Sequence, residues 1–155
     1  MDLPIFRRIP SIWKVLVNKL RIIIDTGPLI AFLNADDYHH PWILDCFKKY
    51  PGPFITCDSV LTEAFYVLKR RPHGTKRFFD LIGRDFLKTA FDILKEHKSL
   101  EHLTAKYKDV PMSLTDACLV RMAEIVPNSA ILTLDSDFCI YRKHRRQIIP
   151  LILPS

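Results

Sequence analysis

Four acidic residues in this 155-residue chain stand where their carboxylates can act together. Asp25 and Asp135 each follow a short apolar run that is typical of a buried strand, and Asp116 begins a helical pattern. Glu63 lies in the first turns of the helix predicted after a second strand. Because several ionised carboxylates cannot crowd together without a strong cost, such a group calls for a hard divalent cation, Mg²⁺ or Mn²⁺. The chemistry it indicates is metal-assisted hydrolysis of a phosphodiester bond, through activation of a bound water and stabilisation of the leaving oxygen.

The elements that must position these acids alternate along the chain. Strands are predicted over residues 21–24, 54–57, 86–93 and 130–134, with a possible edge strand over 148–153. Helices are predicted over residues 29–34, 41–50, 58–70 (capped by Asp58 or Ser59), 76–82, 96–108 and 115–126. This alternation predicts an α/β fold, a three-layer α/β/α domain with a mainly parallel sheet. The carboxyl ends of parallel strands share one edge, where ligands bind, so the four acids are expected to converge there.

Three hydroxyl residues beside the acids are expected to support them by hydrogen bonding. They are Thr26, Ser113 and Thr133. The simpler interpretation of Asp25 is that it only caps the helix after it; the three later acids favour a shared site instead.

The charge balance favours a polyanionic partner. Lysine and arginine number 23 against 17 acidic residues, which gives a net charge of +6. Two runs concentrate this charge. The first is Lys69, Arg70 and Arg71, at the end of the predicted helix that carries Glu63, and the second is Arg142, Lys143, Arg145 and Arg146, near the carboxyl terminus. Each run is either a phosphate-binding surface for RNA or an ordinary solvated face, and the sequence favours neither.

The remaining composition excludes several classes of protein. With 48% hydrophobic and 26% charged residues, the chain has the composition of one folded domain. Its four cysteines form no C-x-x-C pair or metal spacing, so they are expected to be small buried residues in a reducing cytoplasm. No apolar run reaches the roughly 18 residues of a membrane helix, and no secretory signal is present, so no membrane association is expected.

Residues 1–20 form an extension before the domain, which is predicted to span 21–155. Pro4 and Pro10 interrupt the apolar spacing there, so at most Ser11–Leu20 forms one helix. Three interpretations stay open: a basic amphipathic segment that contacts a membrane surface or a partner, an appended helix, or a gene start placed too early.

Four segments, in order, resemble the PIN domain nucleases, and most of all the VapC toxins of bacterial toxin–antitoxin pairs. They are Ile23-Ile24-Asp25-Thr26-Gly27-Pro28-Leu29-Ile30, Val60-Leu61-Thr62-Glu63-Ala64, Leu114-Thr115-Asp116-Ala117 and Leu132-Thr133-Leu134-Asp135-Ser136-Asp137-Phe138, within residues 21–142. The resemblance implies an α/β/α sheet, Mg²⁺-dependent ribonuclease activity, homodimers, and inhibition by a small antitoxin protein in the active-site groove.

By the same resemblance, the four acids take the family's catalytic and metal-binding positions. Asp25 is the first of these acids, Glu63 the second, Asp116 the third and Asp135 the fourth. Asp137 is a further contributor, because the fourth acid varies within this motif.

Other functions compete with that of an endoribonuclease. A non-catalytic module that binds RNA or an antitoxin would be expected to lose acids, whereas this chain keeps all four. A housekeeping RNA-processing nuclease, or a DNA-cutting one, with the same site stays open. An aspartate-dependent phosphatase is disfavoured, because Gly27 stands where a second aspartate is expected.

Overall fold

A five-stranded sheet forms the centre of the fold. The structure, a computed structural model, describes residues 20–155. The strands are β1 (Arg21–Ile24), β2 (Phe54–Thr56), β3 (Leu87–Thr89), β4 (Ser129–Leu132), β5 (Arg142–Lys143), β6 (Gln147–Ile148) and β7 (Leu151–Ile152). The main sheet has the order β3-β2-β1-β4-β7 with every pair parallel, while β5 and β6 form a separate antiparallel hairpin.

Within residues 20–155, six helices connect and cover these strands. They are α1 (Thr26–Leu33), α2 (His40–Lys49), α3 (Asp58–Leu68), α4 (Gly74–Ile82), α5 (Ile93–Lys106) and α6 (Leu114–Ile125). A short 3₁₀ helix, Ser136–Cys139, follows β4. The predicted α/β/α architecture with a mainly parallel sheet is therefore confirmed.

Strand β1 is the middle of the core. Ile23 pairs with Ile55 of β2 on one side and with Ile131 of β4 on the other, and it is fully buried. Three consecutive isoleucines are buried because helices cover both faces of the sheet, which is why the strand reads as a continuous apolar run. This placement fixes Asp25, the next residue, at the carboxyl edge of the central strand.

Two predicted strand boundaries are wrong for local reasons. The third strand is only Leu87–Thr89, because the Asp92 side chain accepts hydrogen bonds from the backbone N–H groups of Leu94 and Lys95 and so caps α5. The carboxyl-terminal apolar run is two strands rather than one. Pro150, which has no N–H to donate, separates β6 of the hairpin from β7 at the sheet edge.

Smaller corrections concern caps and cysteines. The residue before α3 is Cys57, without a side-chain cap, so Asp58 and Ser59 do not have the predicted capping role. All four cysteines are free, and three are buried as expected, but Cys139 is exposed at the end of the 3₁₀ helix. The helix predicted over Ser11–Leu20 lies outside the described residues, except for Leu20. No helix within residues 20–155 is long and apolar enough to cross a membrane.

Candidate active site

Asp25 lies at the carboxyl end of β1, where it is 7% exposed. One carboxylate oxygen accepts a hydrogen bond from the backbone N–H of Thr26 at 2.6 Å, which caps α1. The other accepts from the Thr133 hydroxyl, also at 2.6 Å. Burial raises the pKa of Asp25 to about 6, the two hydrogen bonds oppose this rise, and the charges of Asp116 and Asp135 add to it.

Thr133 links Asp25 to the acidic turn after β4. Its side chain is fully buried, and its hydroxyl oxygen accepts a hydrogen bond from the Asp135 backbone N–H at 3.0 Å while it donates to Asp25. The Asp135 side chain in turn accepts from the Asp137 backbone N–H at 2.8 Å and begins the 3₁₀ helix. The turn therefore holds Asp135 beside Asp25 through one buried hydroxyl.

Glu63 joins two other elements to the site from the second turn of α3. One carboxylate oxygen accepts a hydrogen bond from the Thr26 hydroxyl at 3.0 Å, and the other accepts from the Thr115 hydroxyl. These contacts tie α3 to the first turns of α1 and α6. Although Glu63 is exposed, it is held by two hydroxyl donors, unlike an ordinary solvated helix glutamate.

Asp116 is oriented by Ser113 at the start of α6. The Asp116 carboxylate accepts from the Ser113 backbone N–H at 2.8 Å, and the Ser113 hydroxyl accepts from the Asp116 backbone N–H at 3.0 Å. This capping box fixes the side chain at the amino end of the helix. Partial burial raises the pKa of Asp116, the Ser113 hydrogen bonds lower it, and the charges of Asp135 and Glu63 raise it further.

The four acids therefore converge at one edge of the sheet, from β1, α3, α6 and the turn after β4. Within residues 20–155, no three acidic, histidine or cysteine side chains lie close enough to form a ready-made metal cage. Mg²⁺ does not require such a cage, because it is commonly held by one or two carboxylates, with waters and substrate phosphate completing its shell. The donors are all oxygens, and burial, with a further contribution from the neighbouring acids, raises the pKa of Asp25 and Asp116, so this set of residues fits a hard divalent cation.

Comparison with known proteins identifies the family. A sequence model of the PIN domain matches residues 22–143, which is most of the chain. The chain belongs to the PIN domain family. Its fold is similar to the crystal structure of VapC20 from Mycobacterium tuberculosis, a toxin that cleaves the sarcin–ricin loop. The TM-score is 0.59 at 19% sequence identity, over 70% of this chain and 86% of that one. Comparison with curated proteins gave no significant match.

Two residues near the acids of this PIN domain site were not predicted. Thr115, which bonds Glu63, sits directly before Asp116 in the third motif, yet its partner is 52 residues away in the chain. Tyr141 is fully buried against the rings of Phe138 and Tyr107. Its hydroxyl is the one buried side-chain polar atom in the described part of the chain without a hydrogen-bond partner. The one sequence signal for Tyr141 is its position shortly after Asp135 in the chain.

The predicted RNA-binding residues of the PIN domain divide into two groups. Lys69, Arg70 and Arg71 are exposed at the end of α3. The second group lies on the β5–β6 hairpin, where the Arg142 guanidinium is already engaged, since it donates to the carbonyls of residues 139, 140 and 141. Lys143 is half-buried, and Arg145 and Arg146 are exposed in the turn.

A cavity of about 430 Å³ lies under this hairpin turn. Its basic lining side chains include Lys98, Lys106, Arg121 and Arg145, and none of the four candidate acids lines it. Positive charge therefore occurs both past the carboxyl end of α3 and at a concavity between α5, α6 and the hairpin.

Proposed function

We propose that this PIN domain protein is a metal-dependent endoribonuclease whose active site is the carboxylate group at the sheet edge. The observation that carries the proposal is the network of hydrogen bonds among the acids. Thr133 joins Asp25 to Asp135, and Thr26 and Thr115 hold Glu63 beside them. Membership of the PIN domain family and the net charge of +6 support a nucleic acid as substrate.

Four residues would hold the metal: Asp25, Glu63, Asp116 and Asp135. The ion is Mg²⁺, for which Mn²⁺ can substitute; when bound, it lowers the pKa of a water molecule and stabilises the leaving oxygen. The protein's own groups orient the ligands. Thr133 fixes the Asp25 carboxylate and Ser113 fixes that of Asp116, as partners in the outer shell of a metal site do. Asp137 lies in the same turn and is a further acid available to the site.

Basic residues at the carboxyl end of α3 and on the hairpin would contact the RNA backbone. They are Lys69, Arg70, Arg71, Lys143, Arg145 and Arg146, with Arg142 positioning the hairpin. Neutralisation of phosphates by such side chains supplies affinity without sequence preference.

The biological role we infer is that of the toxin in a toxin–antitoxin pair. The fold similarity to VapC20, a toxin, supports this role. The resemblance of the four motifs to VapC toxins further implies a cognate antitoxin protein, a homodimeric assembly and action in the cytoplasm. The catalytic unit would be the domain from residue 21 onward, with residues 1–20 as an extension. Growth arrest on expression of wild type, absent with an active-site variant, would support the toxin role over RNA processing.

Cleavage of a mixed RNA pool by wild type and by Asp116→Asn tests the nuclease activity. With Mg²⁺ or Mn²⁺, we expect wild type to cleave and EDTA to abolish cleavage. Asp116→Asn should lose more than the roughly 10- to 100-fold typical of outer-shell changes, because it removes a ligand. The matched control is Asp36→Asn, the same chemical change at an exposed loop residue, which should cleave like wild type.

Two outcomes would contradict this assignment. Equal cleavage by Asp116→Asn would remove the carboxylate group from the mechanism. A folded wild type that binds RNA but does not cut it under any metal condition would favour the non-catalytic binding module.

A further inference from the structure

Tyr66 is a half-exposed aromatic residue one helical turn beyond Glu63. Its exposed fraction is 52%, large for a tyrosine on a helix packed against the domain. Glu63 and Tyr66 stand at positions i and i+3 of α3, so they lie on one face of the helix. Arg70, at position i+7, continues that face just past the end of the helix. At 1.5 Å per residue, Tyr66 lies about 4.5 Å from Glu63 along the axis.

Two cations hold the Tyr66 ring. The Arg70 guanidinium lies 4.5 Å from the ring centroid, and one of its N–H groups donates to the Tyr66 hydroxyl at 2.6 Å. The Lys69 ammonium lies 4.8 Å from the same centroid. The ring is thus fixed in place, still half open to solvent, and surrounded by positive charge.

We propose that Tyr66, Lys69 and Arg70 form a subsite that stacks one base of single-stranded RNA next to the scissile phosphate. The proposal rests on the proposed ribonuclease function. An aromatic ring accepts any base because every base has a π face, and a neighbouring arginine adds a cation–π contribution. The two cations neutralise the flanking phosphates. An axial separation of about 4.5 Å between Glu63 and Tyr66 corresponds to about one nucleotide at roughly 3.4 Å per stacked step.

The charge around the ring favours RNA over a protein as the occupant. An apolar protein segment would be drawn to the exposed Phe79 and Ile82 of α4 rather than to a tyrosine ringed by cations. A tyrosine–arginine pair four residues apart can also act only to stabilise the end of a helix. That account requires neither the second cation nor the placement of the ring beside Glu63.

RNA binding, measured separately from cleavage, tests the subsite. Full-length protein carrying Asp116→Asn would be titrated, by fluorescence anisotropy, into a labelled single-stranded RNA pool of mixed sequence. It would also be titrated into an abasic oligonucleotide of equal length and charge. Adding Tyr66→Ala should weaken RNA binding roughly 5- to 150-fold and leave abasic binding unchanged, because only the base is lost as a partner. Tyr66→Phe, which keeps the ring, should stay close to the parent.

Arg70→Gln provides the complementary loss. It should weaken binding of both oligonucleotides and reduce the slope of log affinity against log salt by about 0.7, as expected for one phosphate contact on a single strand. The matched control is Tyr38→Ala, at an exposed tyrosine in the loop between α1 and α2, which should bind like the parent.

The outcomes distinguish this proposal from the proposed function. Unchanged RNA binding by Tyr66→Ala, with the parent still binding, overturns the subsite and assigns the ring to a protein partner or to helix stability. Equal losses for RNA and abasic oligonucleotide also overturn it, since the ring would then act only through the cations. If the parent binds no RNA at all, the ribonuclease function fails first and the subsite fails with it.

Discussion

Replacing Asp25 by asparagine should stabilise the metal-free protein at neutral pH and destabilise it at acid pH. Burial raises the pKa of Asp25 from 3.8 to about 6, so its ionised form is unfavourable in the folded state. Between these values the folded protein holds a proton that the unfolded chain releases, and stability therefore falls as pH rises from about 4 to 6. Below pH 4 both states are protonated, and the effect is absent.

The magnitude follows from two opposing contributions. At 1.36 kcal/mol per pH unit, the rise in pKa corresponds to about 3 kcal/mol of destabilisation, fully present above pH 6. Asparagine removes that charge but has one fewer acceptor oxygen, so it loses one of the hydrogen bonds from Thr26 and Thr133, at about 1 kcal/mol. We expect Asp25→Asn to be about 2 kcal/mol more stable than wild type at pH 7 and about 1 kcal/mol less stable at pH 4.

Urea unfolding in EDTA at pH 4, 5, 6 and 7 measures this difference. Addition of Mg²⁺ should reverse the order at pH 7, because a ligand at 100 times its Kd stabilises only the protein that binds it, by about 2.7 kcal/mol. The reasoning is refuted if Asp25→Asn is equally destabilised at pH 4 and pH 7. It is also refuted if Mg²⁺ stabilises the variant as much as wild type.

Two further predictions concern the elements that support the site, and both are measured by urea unfolding. Gly74→Ala should cost about 2 to 3 kcal/mol, because its new Cβ would lie 1.9 Å from the Leu68 carbonyl oxygen, whereas Gly83→Ala meets nothing closer than 3.4 Å and should be near neutral; similar values for both would contradict the clash. Arg121→Ala should cost about 1 to 2 kcal/mol, because its guanidinium, 25% exposed, pairs with two glutamates across α5 and α6. Lys76→Ala breaks an ion pair with Asp80 that is open to solvent, so it should leave stability unchanged. A loss equal to that of Arg121→Ala would contradict the argument that burial makes the Arg121 pairs stronger.

The parts of the site that could be predicted from sequence are those set by local pattern. The apolar run before Asp25 predicts a buried strand, and the helix-opening Ser113 to Asp116 segment predicts a capped start; the structure has both. A parallel sheet then brings strand ends to one edge, so the convergence of the acids followed from topology alone.

What sequence could not supply is the set of contacts between distant segments. The hydrogen bond from Thr133 to Asp25 joins residues 108 positions apart, and that from Thr115 to Glu63 joins residues 52 apart. The predicted length of β3 was wrong because of a local contact rather than a distant one. The Asp92 side chain accepts hydrogen bonds from N–H groups in the first turn of α5. Ile93, at the end of the predicted strand, therefore begins a helix instead.

Asp25 shows why the capping and metal-binding interpretations are not alternatives. Each of its oxygens accepts one hydrogen bond, from Thr26 or Thr133, and a carboxylate oxygen has a second lone pair that can face a cation. The cap and the buried hydroxyl hold the carboxylate in one orientation, while burial and the neighbouring acids keep its charge uncompensated. A bound cation would compete with the proton that this carboxylate takes up below pH 6, so metal affinity should weaken as pH falls through that value. Thr133→Val would remove the hydrogen bond that orients the Asp25 carboxylate but leave its charge, whereas Asp25→Asn removes the charge. Comparing the two variants therefore separates the effect of orientation from the effect of charge.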